Sequence, residues 1–195
     1  MPSHPKHIAI FGGSFNPPHR GHLQVLKYLQ KQKAFDEIWV IPTAVHAFGK
    51  PLLPFATRKH LLTLLLKDLG PHEKISIKSF EQTLYRETKK PSRTMDTLRW
   101  IKTRFPQVKL TLILGSDLLS EIHRWKNIAG IRRLATLFFL PRKGFAAENR
   151  KLKQRPFLPE IYSSKIRQNL KDSKLSGLTP EVARFIVAKK LYLKF

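Results

Sequence analysis

The chain of 195 residues contains no cysteine and few acidic residues. Without cysteine it can form neither a disulfide framework nor a thiolate metal site. No apolar run approaches the length that spans a bilayer, because the leucine-rich residues 61–66 are interrupted by Thr63 and followed by Lys67 and Asp68. The N-terminal residues are polar and lack the apolar core of a signal peptide. We therefore expect a soluble, cytoplasmic protein with no membrane partner.

Acidic residues are scarce relative to basic ones, since 37 Lys and Arg residues against 13 Asp and Glu residues give a formal charge of +24. Such an excess attracts polyanions and occurs in nucleic-acid-binding proteins. It also suits an enzyme whose substrates all carry phosphates. The basic residues are spread along the whole chain rather than confined to one tail. We therefore expect nucleic acid to bind only nonspecifically, and a basic nucleic-acid-binding protein on the same fold is the alternative from another functional class.

The length and the hydrophobic content of 42% predict one domain over residues 1–195. Strand-like apolar runs alternate with segments of helical periodicity, and no internal repeat is present. This alternation predicts an α/β fold, Rossmann-like and doubly wound, with a mostly parallel sheet and helices on both faces. The C-terminal helical part, about residues 163–195, is predicted to pack on the same domain.

The pattern also predicts the individual elements. Strands are predicted at residues 7–11, 37–41, 74–80, 109–114, 135–140 and 157–161. Helices are predicted from about residue 19, over 55–69, from Ser92 or Thr94 to 105, in broken form over 118–133, from Ser163 or Ser164, and after Thr179. Residues 81–91 are predicted to be irregular, and residues 141–155 are predicted to form a loop.

One stretch near the N-terminus, IAIFGGSFNPPHRGHL, combines several signals of a phosphate site. Its apolar strand is followed by the glycine pair 12–13, which allows a sharp turn and leaves backbone N–H groups open to a ligand. The proline pair 17–18 keeps the chain extended until a helix begins near His19. Strand, glycine loop and helix N-terminus in this order predict a phosphate site, with Arg20 and His22 in the first helical turn.

Three polar segments follow predicted strands. They are the glycine loop, the loop of residues 43–50, and Gly115-Ser116-Asp117. In parallel α/β sheets, ligands bind at the carboxyl ends of the strands. We therefore expect these three segments to meet at one site.

The order of these motifs resembles that of the bacterial nicotinate-nucleotide adenylyltransferases, in the HxGH nucleotidyltransferase superfamily, over nearly the whole chain. Residues 19–22 (HRGH), after the matching GGSFNPP, are similar to the HxGH signature. Residues 92–94 (SRT) are similar to the family's Ser-Tyr-Thr segment. Residues 114–117 (LGSD), with Trp125 beyond them, are similar to its Gly-x-Asp loop and its ring-stacking aromatic residue. Residues 163–167 (SSKIR) resemble its Ser-Ser-Thr-x-Ile-Arg motif.

This resemblance implies transfer of AMP from ATP to nicotinate mononucleotide, giving deamido-NAD and pyrophosphate in NAD biosynthesis. It implies Mg²⁺ bound through the ATP phosphates, with no metal ligand from side chains. The catalytic residues implied are His19, His22 and Arg167. The ATP-binding residues implied are Gly12, Gly13, Ser14, Phe15, His19, His22, Gly115, Asp117, Ser163, Ser164, Ile166 and Arg167. The mononucleotide-binding residues implied are Ser14, Phe15, Lys50, Thr94 and Trp125.

The sequence departs from the family pattern at several places. Arg93 stands where Tyr is usual, Tyr162 and Ser164 stand where Ser and Thr are usual, and residues 46–50 lack the usual Pro-Pro-His-Lys type sequence. Because that loop helps to fix the mononucleotide, nicotinamide mononucleotide and phosphopantetheine are alternative acceptors within the superfamily. The late SSKIR motif and Trp125 argue against phosphopantetheine.

Three of the implied binding residues also have simpler interpretations. Trp125 would be a core residue, Asp117 a helix cap and Lys50 one more solvated lysine. The preference for the acid or the amide mononucleotide and the oligomeric state are left open by the sequence.

Overall fold

The computed structural model describes residues 6–142 and 158–193. The strands are β1 (His7–Gly13), β2 (Glu37–Pro42), β3 (Ile75–Ile77), β4 (Lys109–Gly115) and β5 (Thr136–Leu140). The helices of these ranges are α1 (Arg20–Gln30), α2 (Phe55–Leu69), α3 (Phe80–Thr88), α4 (Thr94–Arg104), α5 (Ile128–Leu134), α6 (Ser163–Lys171) and α7 (Pro180–Ala188). Two short 3₁₀ turns, Ser116–Leu118 and Ile122–Arg124, follow β4.

The five strands form one parallel sheet in the order β3-β2-β1-β4-β5. Strand β1 pairs with β2 on one side and with β4 on the other, so the strand order reverses at β1. Both faces of the sheet are covered, because successive side chains of a strand point to opposite faces. Ala9 packs with α1, α2, α6 and α7, whereas Ile8 and Ile10 pack with α4 and α5. The predicted Rossmann-like, doubly wound fold is therefore confirmed.

The prediction that residues 81–91 are irregular was wrong, because α3 occupies most of this segment. The predicted strand at 74–80 is correspondingly shorter, since Phe80 already begins α3. Phe80 packs its ring against Trp39 and Trp100, and Leu84 is buried. The helix is only 9 residues long and most of its other side chains are charged or polar, which hid the helical period from the sequence.

The predicted caps of two helices were also wrong. Helix α4 follows Arg93, whose N–H donates to the Asp96 carboxylate at 3.0 Å, and neither Ser92 nor Thr94 caps it. Helix α6 has no side-chain cap, because the Ser163 hydroxyl donates instead to the carbonyl of Pro17 at 2.9 Å.

Other element predictions were closer. Helix α7 begins directly after Thr179 with a proline first, as predicted. The predicted strand at 157–161 is reduced, over its described residues, to one bridge between Arg142 and Leu158. Most of the predicted loop at 141–155 lies outside the described residues. Within residues 6–142 and 158–193, no helix has the length and apolarity to cross a bilayer.

The guanidinium of Arg58, in the first turn of α2, is completely buried and joins three separate segments. It donates to the carbonyls of Leu53 at 2.8 Å, Ser14 at 2.8 Å and Ala44 at 3.2 Å. These carbonyls belong to the loop before α2, the loop after β1 and the loop after β2. A buried cation of this kind is stable only when its N–H groups are paired, so Arg58 fixes the positions of all three loops.

Replacing Arg58 tests this role. Arg58→Met should lower the free energy of unfolding by about 3 kcal/mol or more, because three partly buried carbonyls lose their hydrogen-bond donor. The exposed neighbour Lys59 offers a control on the same helix, and Lys59→Met should change stability by less than about 0.5 kcal/mol. Urea unfolding of both variants measures the difference; equal stability of the two would contradict the role assigned to Arg58.

Candidate active site

The glycine pair after β1 plays a different part from the predicted turn. Strand β1 continues through Gly12 and Gly13, and the left-handed turn falls on Phe15, with φ of 47°. A side chain at Gly13 would have its Cβ only 3.3 Å from the Phe15 ring. Gly13 therefore makes room for Phe15, which is buried and packs edge-on against Phe11 and His22.

Two histidines form the N-terminus of α1. The Nδ1 atom of His19 accepts the Gly21 N–H at 3.2 Å, and the Nδ1 atom of His22 accepts the His19 N–H at 3.1 Å. Their ring centroids lie 3.7 Å apart. Because each Nδ1 atom accepts a backbone hydrogen bond, these bonds assign the proton of each neutral ring to Nε2. The helix start therefore carries two imidazoles whose Nε2–H groups are donors.

Both rings are neutral at physiological pH. Burial, and after it the nearby Arg142 cation, lower the pKa of His19 to about 3. The pKa of His22 is also well below its ordinary value, first because of burial and then because of His19 and Arg142. The pair thus offers hydrogen-bond donors to a phosphate at the positive end of a helix without carrying a full charge.

A cavity of about 150 Å³ opens beside this helix start, at the carboxyl ends of β1 and β4. Its walls include Gly12, His22, Gly115, Asp117 and Arg142. Here the glycine loop and the Gly115–Asp117 segment meet, as predicted. His19 stacks on His22 and is almost fully buried rather than part of the wall.

The Asp117 carboxylate forms an ion pair with Arg142 at 3.3 Å, without hydrogen-bond geometry. A Cβ at position 115 would collide with this carboxylate, so the glycine there leaves room for the pair. The Arg142 backbone N–H donates to the Ser116 hydroxyl at 2.8 Å, which ties the end of β5 to the turn after β4. Arg142 therefore places a cation close to the histidine pair.

Helix α6 is attached directly to the loop after β1. The Ser163 hydroxyl donates to the carbonyl of Pro17, and the Arg167 guanidinium donates to the carbonyl of Asn16 at 2.8 Å. The structure therefore brings the late SSKIR segment to the HxGH segment, across 151 residues of chain. Ile166 is buried in the core and packs near Gly177. The predicted roles of all the site residues toward ATP and the mononucleotide, those of Ser14, Ser164 and Ile166 included, stay predictions.

A larger cavity of about 530 Å³ lies next to the first. Leu118 lines both, so the two cavities are neighbours. Thr94 and Trp125 line the larger cavity, as expected for a mononucleotide site. Trp125 also packs against the hydrophobic core. One part of its side chain therefore contacts the core, and another part faces the cavity. Lys50 is exposed and lies outside this lining.

The larger cavity has charged residues of which the sequence singled out only Arg93. Its lining contains three cations, Arg93, Arg124 and Lys126, and the carboxyl groups of Glu81 and Glu121. Burial raises the pKa of Glu81 to about 7, against the opposing effects of the Ala44 N–H, the Ser92 and Thr97 hydroxyls and Arg58. Glu81 was missed because its helix α3 was predicted to be irregular.

Asn16 is the second buried junction of the site. Its side chain donates to the carbonyl of Pro51 at 3.3 Å and accepts the Leu53 N–H at 3.2 Å and the Tyr192 hydroxyl at 2.9 Å. The partner Tyr192 lies 176 residues further along the chain. Sequence spacing gives no signal for such a contact, so Tyr192 and Arg142 could be found only in the folded chain.

Among the described residues, no group of three or more His, Cys, Asp or Glu side chains is arranged to hold a metal ion. Mg²⁺ stays a prediction, and its ligands would be phosphate oxygens of ATP.

Comparisons with known proteins agree with this geometry. The model of the cytidylyltransferase-like family matches residues 10–169 of the chain. A Myxococcus xanthus protein named "Probable nicotinate-nucleotide adenylyltransferase" is 34% identical over 84% of this chain and 81% of its own length. The nicotinate-nucleotide adenylyltransferase of Bacillus subtilis is 29% identical over 96% of this chain and 98% of its own length.

The fold also matches a solved structure. The nicotinic acid mononucleotide adenylyltransferase of Plasmodium falciparum, solved in complex with NaAD, superposes with a TM-score of 0.82. The alignment covers 96% of this chain and 97% of that one, at 24% sequence identity. At this identity the likeness concerns the fold.

The depressed pKa of His19 predicts how stability depends on pH. A histidine that titrates at 6.5 when unfolded and at about 3 when folded stabilises the fold fully above pH 6.5 and less as the pH falls. Between pH 7 and pH 5 this loss is about 2 kcal/mol. His19→Asn keeps a side-chain acceptor for the Gly21 N–H and should reduce the loss by about that amount.

Urea unfolding at both pH values measures this effect. The exposed His123 provides the control, and His123→Asn should leave the pH dependence as in the unsubstituted protein. If His19→Asn keeps the full pH dependence, His19 is not buried in its neutral form.

Proposed function

We propose that this chain, which belongs to the cytidylyltransferase-like family, is a nicotinate-nucleotide adenylyltransferase that transfers AMP from ATP to nicotinate mononucleotide. The products would be deamido-NAD and pyrophosphate, a step of NAD biosynthesis. The observation that carries the proposal is the pair of neighbouring cavities, with Leu118 in the lining of both, near the carboxyl ends of the strands. The smaller cavity presents uncharged hydrogen-bond donors for a phosphate at a helix N-terminus, and the larger cavity presents an aromatic ring with three cations.

The proposed reaction requires alignment more than acid–base chemistry. A phosphate oxygen of the mononucleotide attacks the α-phosphorus of ATP, a new P–O bond forms, and the bond to the β-phosphate oxygen breaks as pyrophosphate leaves. The nucleophile is already an anion, so no general base is needed. The protein must hold two polyanions in line and stabilise the charge that moves to the leaving group.

The residues around the smaller cavity suit this task. His22 lines the cavity with its Nε2–H as donor, and His19 fixes the start of the helix behind it. Arg167 lies outside the lining of both cavities but is held beside the loop after β1 by the Asn16 carbonyl, and its planar guanidinium matches phosphate oxygens in a way that an ammonium does not. Mg²⁺ bound to the ATP phosphates would supply further charge neutralisation. No covalent enzyme intermediate is implied.

The larger cavity suits the mononucleotide. Trp125 offers a ring face for stacking on the pyridine, and Arg93, Arg124 and Lys126 make the cavity electropositive. This excess of positive charge favours the acid over the amide. Nicotinamide mononucleotide and phosphopantetheine are the alternative acceptors.

One assay tests the function. Pyrophosphate release is measured with ATP and Mg²⁺, and with nicotinate mononucleotide, nicotinamide mononucleotide or phosphopantetheine as acceptor. We expect the highest kcat/KM with nicotinate mononucleotide. A clear preference for the amide would disprove the acid preference, and turnover with phosphopantetheine alone would disprove the proposed substrate class. Low turnover with every acceptor, together with salt-sensitive binding of nucleic acid, would favour the nucleic-acid-binding alternative.

The role of His22 is tested by two substitutions. His22→Ala removes the Nε2–H donor and the acceptor of the His19 N–H, whereas His22→Asn keeps an acceptor for that N–H. Both variants should lower kcat by about a hundredfold, the scale of one lost transition-state donor. Only His22→Ala should also lower the free energy of unfolding, by about 1 kcal/mol, because it loses the cap. Near-normal turnover in His22→Asn would remove the Nε2–H from the mechanism.

The role of Trp125 is tested by separating the two substrates. Trp125→Ala should raise KM for the mononucleotide about tenfold and leave KM for ATP nearly unchanged, since the ring lies in the larger cavity. Trp125→Phe should recover much of the loss. The core interpretation predicts instead a large fall in melting temperature, with both substrates affected alike or not at all. Both KM values and the melting curve, measured on the same variant, distinguish these outcomes.

A further inference from the structure

Glu81 lies in the first turn of α3 and bridges two walls of the larger cavity. One carboxylate oxygen accepts the backbone N–H of Ala44 at 3.2 Å, in the loop after β2. The other accepts the Thr97 hydroxyl at 3.4 Å, in α4. The loop after β2 carries His46 and Phe48, and the start of α4 carries Thr94, all of which line the cavity. A single carboxyl group therefore joins the two segments between which the mononucleotide would lie.

The two hydrogen bonds of Glu81, here called the bridge, are continued by further polar contacts of Ala44. The carbonyl of Ala44 accepts a hydrogen bond from Arg58, and the same guanidinium binds the carbonyl of Ser14 in the loop after β1. Ala44 is thus held on one side by the half-buried carboxyl group of Glu81 and on the other by the buried guanidinium of Arg58. A connected path of polar contacts runs from the glycine loop, through Arg58, Ala44 and Glu81, to Thr97.

We infer that Glu81 is a positioning residue for the mononucleotide: it holds the loop after β2 and the start of α4 at the separation that the mononucleotide requires. The inference rests on the function proposed above. It assigns Glu81 to the mononucleotide and not to ATP, because Glu81 lines the larger cavity and does not line the smaller one. It requires no contact between Glu81 and the reacting atoms.

The electrostatic surroundings give this bridge a pH dependence. With its pKa raised by burial to about 7, the Glu81 carboxyl changes charge near neutral pH. The charged or titratable groups around it are Arg58 from α2, Arg93 before α4, His46 from the loop after β2, and Glu121, Arg124 and Lys126 on the opposite wall. An anionic ligand in this cavity disfavours the ionised form of Glu81. Binding of the mononucleotide therefore takes up a proton and weakens as the pH rises through 7.

Two substitutions at Glu81 and one control test the positioning role. Glu81→Ala removes both contacts and should raise KM for nicotinate mononucleotide about tenfold, the effect of losing one hydrogen bond to a charged group, with KM for ATP changed less than about twofold. Glu81→Gln keeps an acceptor for the Ala44 N–H and should stay within about threefold of the unsubstituted protein at pH 6. The control is Glu87→Gln on the same helix, where Glu87 pairs with Arg104 and Trp100 on the surface. It should leave both KM values unchanged.

A pH series separates positioning from general structural damage. From pH 6 to pH 8, KM for the mononucleotide should rise about fivefold or more in the unsubstituted protein and in Glu87→Gln, and less than about twofold in Glu81→Gln. The ligand's own phosphate titrates in this range, but its contribution is common to all variants. Comparison of the variants therefore isolates the contribution of Glu81.

Hydrogen exchange of the ligand-free protein measures the hydrogen bond between the Ala44 N–H and Glu81 independently of activity. The Ala44 amide should exchange about tenfold or more faster in Glu81→Ala than in Glu81→Gln or Glu87→Gln. If the bridge is confirmed by exchange and the protein turns over no pyridine mononucleotide, the proposed function fails while the structural role of Glu81 stands. If the protein is active and Glu81→Ala leaves KM for the mononucleotide unchanged, or raises both KM values equally, the positioning inference is overturned. An identical pH series in Glu81→Gln and the unsubstituted protein would overturn the titration of Glu81.

Discussion

The buried guanidinium of Arg58 is the interaction on which the geometry of the candidate site depends. Parallel sheets place ligand loops at one edge but do not fix their distances from one another. Arg58 fixes three of these distances at once, because its rigid fork binds carbonyls from the loops after β1 and β2 and before α2. Asn16, in the loop after β1, joins separate segments in the same way, because its side chain hydrogen-bonds Leu53, Pro51 and Tyr192. The two side chains turn separate loops into one rigid wall.

The sequence predicted those parts of the fold whose signal is local. Helix α2 was predicted at its observed bounds, since its Leu-rich core and the Gly70-Pro71 stop are contiguous in the chain. Helix α3 was not predicted, because only Phe80 and Leu84 mark its buried side over 9 residues. The left-handed turn was expected at a glycine and falls on Phe15, whose strain is offset by burial of its ring. That balance depends on tertiary packing, which a local pattern does not encode.

The residues of the candidate site differ in the same way: local motifs could be found in the sequence, and residues placed by distant contacts could not. The HxGH and Gly-x-Asp segments could be found in sequence because each motif lies within a few residues, the first at the start of a predicted helix and the second directly after a predicted strand. Arg142, Glu81 and Tyr192 could not, since each acquires its place through contacts with segments distant in sequence. The large number of basic residues, 37 in all, also hides the individual cations that matter, because nothing in the sequence distinguishes Arg142 or Arg124 from the solvated ones.

The histidines of the smaller cavity and the cations of the larger cavity differ in charge, because burial keeps the histidines neutral and the cations are exposed. At the smaller cavity the histidines are packed against Phe15 and each other beside Arg142, so the surroundings keep them neutral. Neutral donors bind a phosphate through directed hydrogen bonds, which depend on the position of each oxygen and strengthen as charge develops on it. At the larger cavity the cations are exposed, so their attraction is less directional and is weakened by salt. A reaction between two polyanions needs both properties: attraction to bring the second anion in, and directed donors to align the atoms that exchange bonds.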